Sequence, residues 1–493
     1  MSRICLITPP SAFLLDERVF MHIGILKVAA VLEARGWVVE MLDLSGIPNY
    51  EDAVRDHARI SQSVHFGITA VTPQMPSAAR VAAVIRAVRP DAKIILGGPH
   101  ATLVVAAKKR EDKLGIVGRA CRAYTVLEQN FDTLVAGDGE EAIFHACVDA
   151  PPKLVDADDR RSPLFIEKRG GLDKLPFPAR HLMDVNSYHY TIDGVEALSV
   201  IAQLGCPFEC GFCAGRLSPM LRNIRTRSSE NIVAEMVAMY HAYGRRGFMF
   251  YDDELNVNKD MVDLMRKIKV AQEALAVEWR LRGFIKAELF TDEQAHAMYA
   301  AGFRWILVGF ESGSPRILEN INKKATREDN SRCVEIARRH GLKVKALMSL
   351  GHPGESPETA REMYEWVAHT RPDDFDVTII TPYPGSPYYD MAVPTDTPGE
   401  WVFTTPNGDR LYQVEIDYLK EADYYKGNPD EGYVSHVHTD TLSPEDLIRE
   451  RDHLERVLRT ELGIPFNPSR AAHLYEHSMG QSGLPPQILR TSR

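Results

Sequence analysis

Gly205-Cys206-Pro207-Phe208-Glu209-Cys210-Gly211-Phe212-Cys213 sets three of the chain's seven cysteines within eight positions. Thiolates bind iron and zinc, and cysteines gathered this way in a chain with no export signal read as a metal site before a disulfide framework. Gly205, Pro207 and Gly211 suit neither a helix nor a strand interior, so a loop is expected, with its three sulfurs turned toward one point. An iron–sulfur cluster ordinarily takes four cysteines. Three close ligands with no fourth nearby point to a four-iron cluster with one iron left open. A structural zinc loop and a chance cluster are the alternatives. Zinc takes four ligands, and the nearest further candidates, His189 and His241, lie well outside the loop.

Upstream, residues 1–150 alternate apolar runs with amphipathic helices, the pattern of a doubly wound parallel sheet. Strands are expected at 3–7, 38–42, 64–69 and 93–96. Helices are expected at 22–35, where Ile25, Leu26, Ala29 and Leu32 recur at helical spacing, and at 77–88. Such sheets take ligands beyond the carboxyl ends of their strands. Those ends are Thr8-Pro9-Pro10, Thr69-Ala70-Val71, Gly97-Gly98-Pro99-His100 and Gly137-Asp138-Gly139-Glu140. Residues 151–194 lack periodicity and read as a linker, solvated at 156–161 and extended at 175–180.

Downstream, strand and helix alternate again over residues 195–390. Strands are expected at 197–203, at 248–251 before Asp252-Asp253-Glu254, and at a third ending in Arg280-Leu281-Arg282. Three more are expected at 305–309 before Phe310-Glu311-Ser312-Gly313, at 343–350 before Gly351-His352-Pro353-Gly354-Glu355, and at 376–380. Ser228 or Ser229, Thr291, Thr326 and Ser356-Pro357 mark helix starts. Six such units form a partial (β/α)6 TIM-type barrel, whose chemistry belongs at the strand carboxyl ends. The cysteines, Asp252, Asp253, Arg282, Glu311 and Glu355 all fall there. From 391 to 493 the pattern changes to an aromatic, acidic stretch and then a helix over 443–462. The expectation is a mostly helical C-terminal module.

Composition narrows the function. Hydrophobic residues make up 44% and charged residues 26%, ordinary for a globular protein. A net charge of −10 argues against nucleic acid as a partner. Lys108-Lys109-Arg110 reads as a solvated loop, and Cys5, Cys121, Cys147 and Cys333 as buried small hydrophobes. No run approaches the ~20 apolar residues of a membrane span, and MSRICLITPP is broken by proline too soon for a secretory segment. The chain reads as cytoplasmic, with no membrane partner.

The order Cys206-x3-Cys210-x2-Cys213 resembles the signature of the radical S-adenosylmethionine (SAM) enzymes. In that family the open iron of a [4Fe–4S] cluster holds the amino and carboxyl groups of SAM, and an electron splits the sulfonium to methionine and a 5′-deoxyadenosyl radical. The resemblance implies cluster ligation by Cys206, Cys210 and Cys213, with Phe212 close to SAM. Tyr251-Asp252-Asp253 matches the second-strand motif that meets the methionyl ammonium. Glu311-Ser312 matches the fourth-strand motif that meets the ribose. Arg282 is assigned to the SAM carboxylate, and the motif ending in Glu355 lies beside the adenine.

The first 150 residues resemble the cobalamin (B12)-binding domain found ahead of many radical SAM domains. Thr69, Val71, Gly97 and Gly98 match its edge motifs, with Thr8, Pro9, Gly137 and Glu140 on neighbouring strand ends. The Asp-x-His-x-x-Gly motif that supplies a histidine to cobalt in B12-dependent mutases and methionine synthase is absent. Its loop reads Phe13-Leu14-Leu15-Asp16-Glu17-Arg18, and His22 and His100 are taken as wall residues. The resemblance implies a cobalamin-dependent radical SAM enzyme that methylates an unactivated carbon of a small-molecule substrate. Cyclisation or ring rearrangement, or a non-catalytic corrinoid or iron–sulfur carrier, are the alternatives. It further implies an electron donor such as flavodoxin or ferredoxin, and a C-terminal module over the barrel mouth with Tyr424, Tyr433, His436 and His438 as candidate pocket lining.

Overall fold

The computed structural model describes residues 2–11, 16–166, 171–422, 424, 428–432, 434–466 and 484–492. Its first half is built on β1 (Arg3–Thr8), β2 (Val38–Asp43), β3 (His65–Thr69), β4 (Lys93–Gly97), β5 (Thr133–Ala136) and β6 (Leu154–Asp156). β1, β2 and β5 are buried along nearly their whole length, as strands covered by helices on both faces must be. The second half carries β7 (Thr191–Ile192), β8 (Val195–Val200), the short pair β9 (Gln203–Leu204) and β10 (Arg225–Thr226), then β11 (Gly247–Phe250) and β12 (Arg280–Ile285). β13 (Phe303–Glu311), β14 (Lys343–Leu350) and β15 (Asp374–Ile379) complete it. After them come β16 (Val393–Pro394), β17 (Glu400–Thr404), β18 (Arg410–Val414), β19 (Val437–His438) and finally β20 (Leu489–Thr491).

The first sheet runs β20-β2-β1-β3-β4-β5-β6, parallel except for β20. β1 lies between β2 and β3, so chain direction across the sheet reverses there and opens a crevice at the carboxyl edge. The second sheet runs β15-β14-β13-β12-β11-β8-β7. Its six parallel strands keep β8 and β15 apart, which makes it a partial barrel. The expected helix caps at Ser228, Thr291, Thr326 and Ser356 all accept a backbone N–H three residues on. Among the described residues, no helix is long and apolar enough to cross a membrane.

Five expectations need correction. The segment 151–194 is not wholly a linker, because β6 pairs with β5 in the first sheet. Nor is 156–161 solvated throughout: Arg160 and Arg161 are exposed, but Lys109 Nζ lies 2.5 Å from Asp156, and Asp158 is fully buried, accepting Ser218 Oγ at 2.7 Å and Met220 N at 2.8 Å. Those bonds fasten the first sheet to the segment that follows the cysteines. Lys108-Lys109-Arg110 belongs to the helix Pro99–Leu114, not to a loop, and Cys121 is only partly buried. The C-terminal module is not mostly helical either. β16-β17-β18-β19 form an antiparallel sheet, with Pro406-Asn407-Gly408-Asp409 turning between β17 and β18, before the helix Pro444–Leu462.

Candidate active site

The cysteine loop leaves the carboxyl end of β8 and is pinned from below by two acids at the end of β11. Asp252 accepts Ala202 N at 2.7 Å and also Gln203 N, while Asp253 accepts Gly205 N at 2.7 Å. Gly205 takes φ +89°, and a Cβ there would collide with the Asn223 carbonyl, so only glycine fits the turn into Cys206. Arg216 closes the loop from above through Nη1, which donates to the carbonyls of Cys206 (3.1 Å) and Phe208. Gly211 N donates to Ile321 O at 2.7 Å, and Tyr388 N to Gly211 O at 3.0 Å.

Burial pushes all three thiols up, Cys213 to about 12. Lys323 and Lys286 pull against this at Cys210, as the Phe208 backbone and Arg216 do at Cys206. Among the described residues, only Cys5, Glu40 and His57 bring three ligating atoms within 4.8 Å of one another. Of these, Glu40 is already engaged, accepting from His57 Nε2 (3.0 Å), Ser61 (2.6 Å) and Arg3 (3.2 Å). The sulfurs of Cys206, Cys210 and Cys213 are therefore spread wider than one ion holds its ligands. A cluster in which each sulfur meets a different iron fits that spread better than a zinc ion does.

Across from the loop lies a cavity of about 300 Å³ at the carboxyl edge of the first sheet. Leu6, Ile25, Val28, Ile68, Val135 and Ile143 give it an apolar interior, and Thr69, Gly97, Gly98, Gly137 and Glu140 line it as well. Leu204, Gly205 and Asp253 of the second half complete its wall. Thr8, Pro9 and Val71 do not line it. Thr8 O accepts Leu44 N, Pro9 O accepts Gln74 Nε2, and Val71 N donates to Gln74 Oε1. Gly98, with φ +95°, is required by the neighbouring loop rather than by a ligand, since a Cβ would lie 2.8 Å from Thr69 Oγ1.

Residues 200–367 match the radical SAM superfamily, and residues 18–127 match the B12 binding domain. The chain carries a B12-binding domain followed by a radical SAM domain. An uncharacterised methyltransferase of Pyrococcus horikoshii is 29% identical over 340 residues, 66% of this chain and 69% of that protein. The anaerobic magnesium-protoporphyrin IX monomethyl ester cyclase of Rubrivivax gelatinosus is 23% identical, over 73% of this chain and 64% of its own length. Among solved structures, the radical SAM methyltransferase TsrM of Kitasatospora setae has a TM-score of 0.62 at 18% identity, covering 98% of this chain and 93% of that one. That likeness concerns the fold.

In the radical SAM domain, Glu311 takes φ +64° where the register of β13 on β14 slips, a left-handed backbone that costs a non-glycine residue of order 1–3 kcal/mol. Its carboxylate accepts Lys323 Nζ at 3.1 Å and Ser349 Oγ at 2.9 Å. Phe212 packs edge-on against His352 at 5.5 Å. Tyr251 is half exposed and meets Phe20 and Phe284. Ser312 is fully buried and accepts Ser314 N. The third strand does not end at Arg282. It begins at Arg280 and ends at Ile285, which leaves Arg282 bonded to Tyr190 Oη at 3.2 Å over the Trp305 ring. The cation at the true carboxyl end is Lys286, buried 4.1 Å above the Phe208 ring and donating to Lys323 O. Spacing alone did not single out Lys286, Lys323, Arg216 or Ser349.

Glu355 precedes the helix Pro357–Thr370 and accepts Thr359 Oγ1 at 2.5 Å. Burial raises its pKa from 4.5 to about 7. Between those values the folded protein holds a proton that the unfolded chain has lost, so this group's contribution to stability falls as pH rises through that window. A Glu355→Gln variant is expected to gain on the native protein by on the order of 2 kcal/mol at pH 8, with the gain absent near pH 4.5. Urea midpoints at the two pH values measure it, and an equal shift at both overturns it.

In the C-terminal module, His438 stacks on Tyr412 and bonds Glu400, while Tyr433 lies outside the described residues. Tyr424 and His436 join Tyr383, Tyr389 and Tyr418 in an aromatic cluster that touches His100 of the B12-binding domain. His22 and His100 do not line the cavity. His100 Nδ1 lies 3.1 Å from Thr72 Oγ1, and burial pulls its pKa down to about 3. Residues 12–15 of the first loop lie outside the described residues.

Proposed function

We propose that this chain is a cobalamin-dependent radical SAM enzyme that methylates an unactivated carbon of a small molecule. One observation carries the proposal: a single cavity is walled by glycines at the edge of the B12-binding sheet, by Leu204 and Gly205 at the entry to the cysteine loop, and by Asp253, which holds that loop. Two cofactors that act on one substrate need such a shared space, since proximity supplies much of the rate. When bound, a [4Fe–4S] cluster supplies the electron that splits SAM to methionine and a 5′-deoxyadenosyl radical, and cobalamin supplies the methyl group.

The chain's own part is to hold and orient. Cys206, Cys210 and Cys213 hold the cluster, with Asp252, Asp253 and Arg216 fixing the loop. Lys323 and Ser349 aim Glu311 at the SAM ribose. His352, held neutral by burial and by Lys323 at a pKa of about 3, gives Phe212 an uncharged neighbour beside SAM. The apolar cavity fits the flat base of a corrinoid's nucleotide tail and keeps water from it. Among the described residues no histidine lines that cavity, in keeping with a corrinoid held without a histidine ligand. Seven free cysteines suit the reducing cytoplasm, where flavodoxin or ferredoxin would deliver the electron.

Methyltransferases among the relatives support methyl transfer, and the cyclase sets the competing outcome. The test is anaerobic turnover of reconstituted protein with methyl-labelled SAM, dithionite, hydroxocobalamin and candidate substrates. Labelled product beside 5′-deoxyadenosine is expected. 5′-Deoxyadenosine with an altered but unlabelled substrate would favour cyclisation or rearrangement. No 5′-deoxyadenosine at all would leave a carrier.

A further inference from the structure

The barrel sends one buried cation into the wall of the corrinoid cavity, and its bonding is incomplete. Arg225 lies on β10, where it pairs with Leu204, two positions before Cys206. It is fully buried and lines the cavity. Nη1 crosses to the B12-binding domain and donates to Asp138 Oδ2, in the loop after β5. Nε and Nη2 have no hydrogen-bond partner among the described residues. Unmade hydrogen bonds on a buried charged group are costly and rare in native proteins. Two on one guanidinium mark a place kept for an acceptor. Lys27, the other cation of the cavity wall, is already paired with Glu140. The remaining lining is mostly glycine and aliphatic side chain, and its acids, Asp138, Glu140 and Asp253, make no hydrogen bond to Nε or Nη2.

We propose that Arg225 is a recognition residue for the corrinoid, its Nε–H and Nη2–H donating to an oxygen of the molecule seated in this cavity. The proposal rests on the cobalamin reading above and adds to it a contact supplied by the barrel. A cobalamin offers two kinds of acceptor, the phosphodiester of its nucleotide tail and the amide carbonyls around the corrin ring. The planar fork of arginine is built for paired donation to a phosphate. Because β10 and the cysteine loop belong to one hairpin, a filled cavity and the cluster site share a support.

Full-length protein is titrated anaerobically with hydroxocobalamin and with cobinamide, following the corrin absorption bands. Cobinamide keeps the ring amides and lacks the phosphodiester and base. Arg225→Met is expected to weaken hydroxocobalamin at least tenfold. Arg225→Lys, which keeps the charge and its Asp138 partner but not the fork, is expected to do likewise and covers the case in which the methionine variant fails to fold. Loss for hydroxocobalamin alone assigns the contact to the phosphodiester, and loss for both corrinoids assigns it to a ring amide. Asp138→Asn breaks the ion pair, leaves the donors, and is expected to bind within about threefold of the native protein. If Asp138→Asn weakens binding as much as Arg225→Met, the ion pair is what matters and the proposal falls. It falls equally if both Arg225 variants bind both corrinoids at native affinity. A native protein that binds neither corrinoid would remove the cobalamin function itself, and this contact with it.

Discussion

A Cys210→Ala variant is expected to form 5′-deoxyadenosine from SAM more than about a hundredfold more slowly than the native protein. Changing a residue that only supports a metal ligand typically costs 10- to 100-fold, and Cys210 is a proposed ligand itself. Cys210 packs against Ile317 and Ile321 beside Phe208, Phe212 and Cys213, and Cys213 is itself a proposed ligand and so cannot take its place. Cys5, Cys147 and Cys333 are buried in other parts of the core. Iron content, the visible spectrum of the reduced protein and the deoxyadenosine assay should fall together. Turnover at the native rate would refute the ligand assignment. Retained cluster without SAM cleavage would move the defect from ligation to docking.

Gly24→Trp is expected to cut cobalamin affinity roughly a hundredfold, about 2.7 kcal/mol, with little change in fold stability. Gly24 lines the cavity, is exposed, and has nothing within 4 Å of a Cβ built on it. A new side chain therefore meets open space rather than neighbouring atoms, and an exposed substitution of that kind usually stays within about 0.5 kcal/mol. The indole would occupy the volume assigned to the corrinoid's base. Equilibrium titration with hydroxocobalamin and a thermal melt of the apoprotein measure the two halves. Unchanged affinity in a folded variant would mean that the base lies elsewhere.

What could be read from the chain beforehand was what is written locally. Cys206, Cys210 and Cys213 lie within one loop, and the acids at 252, 253 and 311 follow apolar runs that mark strand ends. Arg282 went astray because charged residues read as a strand's end, whereas β12 opens on Arg280 and Arg282 and continues through Gly283, Phe284 and Ile285. An arginine over the Trp305 ring inside an open barrel has no local signature. Asp158 looked solvated in an acidic, basic hexapeptide. Its partners Ser218 and Met220 lie 60 and 62 positions away, and only the fold brings them together. Lys286 and Lys323 look like surface lysines until Glu288, Glu311 and the Phe208 ring are placed around them. The C-terminal sheet was missed because its strands are short and half exposed, leaving few apolar residues to count.

β20 hydrogen-bonds along the outer edge of β2, and Ser492 Oγ meets Val39 N across 453 positions of chain. A ribosome adding ~5–20 residues per second needs roughly 20 to 90 s to cover that distance. Through that interval β2 is a bare margin on an otherwise finished sheet, open to pairing with other nascent chains. Ribosomes that stall or stop early would release a first domain still lacking its selvage, so expression losses from late frameshifts should surface as aggregates rather than as inactive, well-behaved protein.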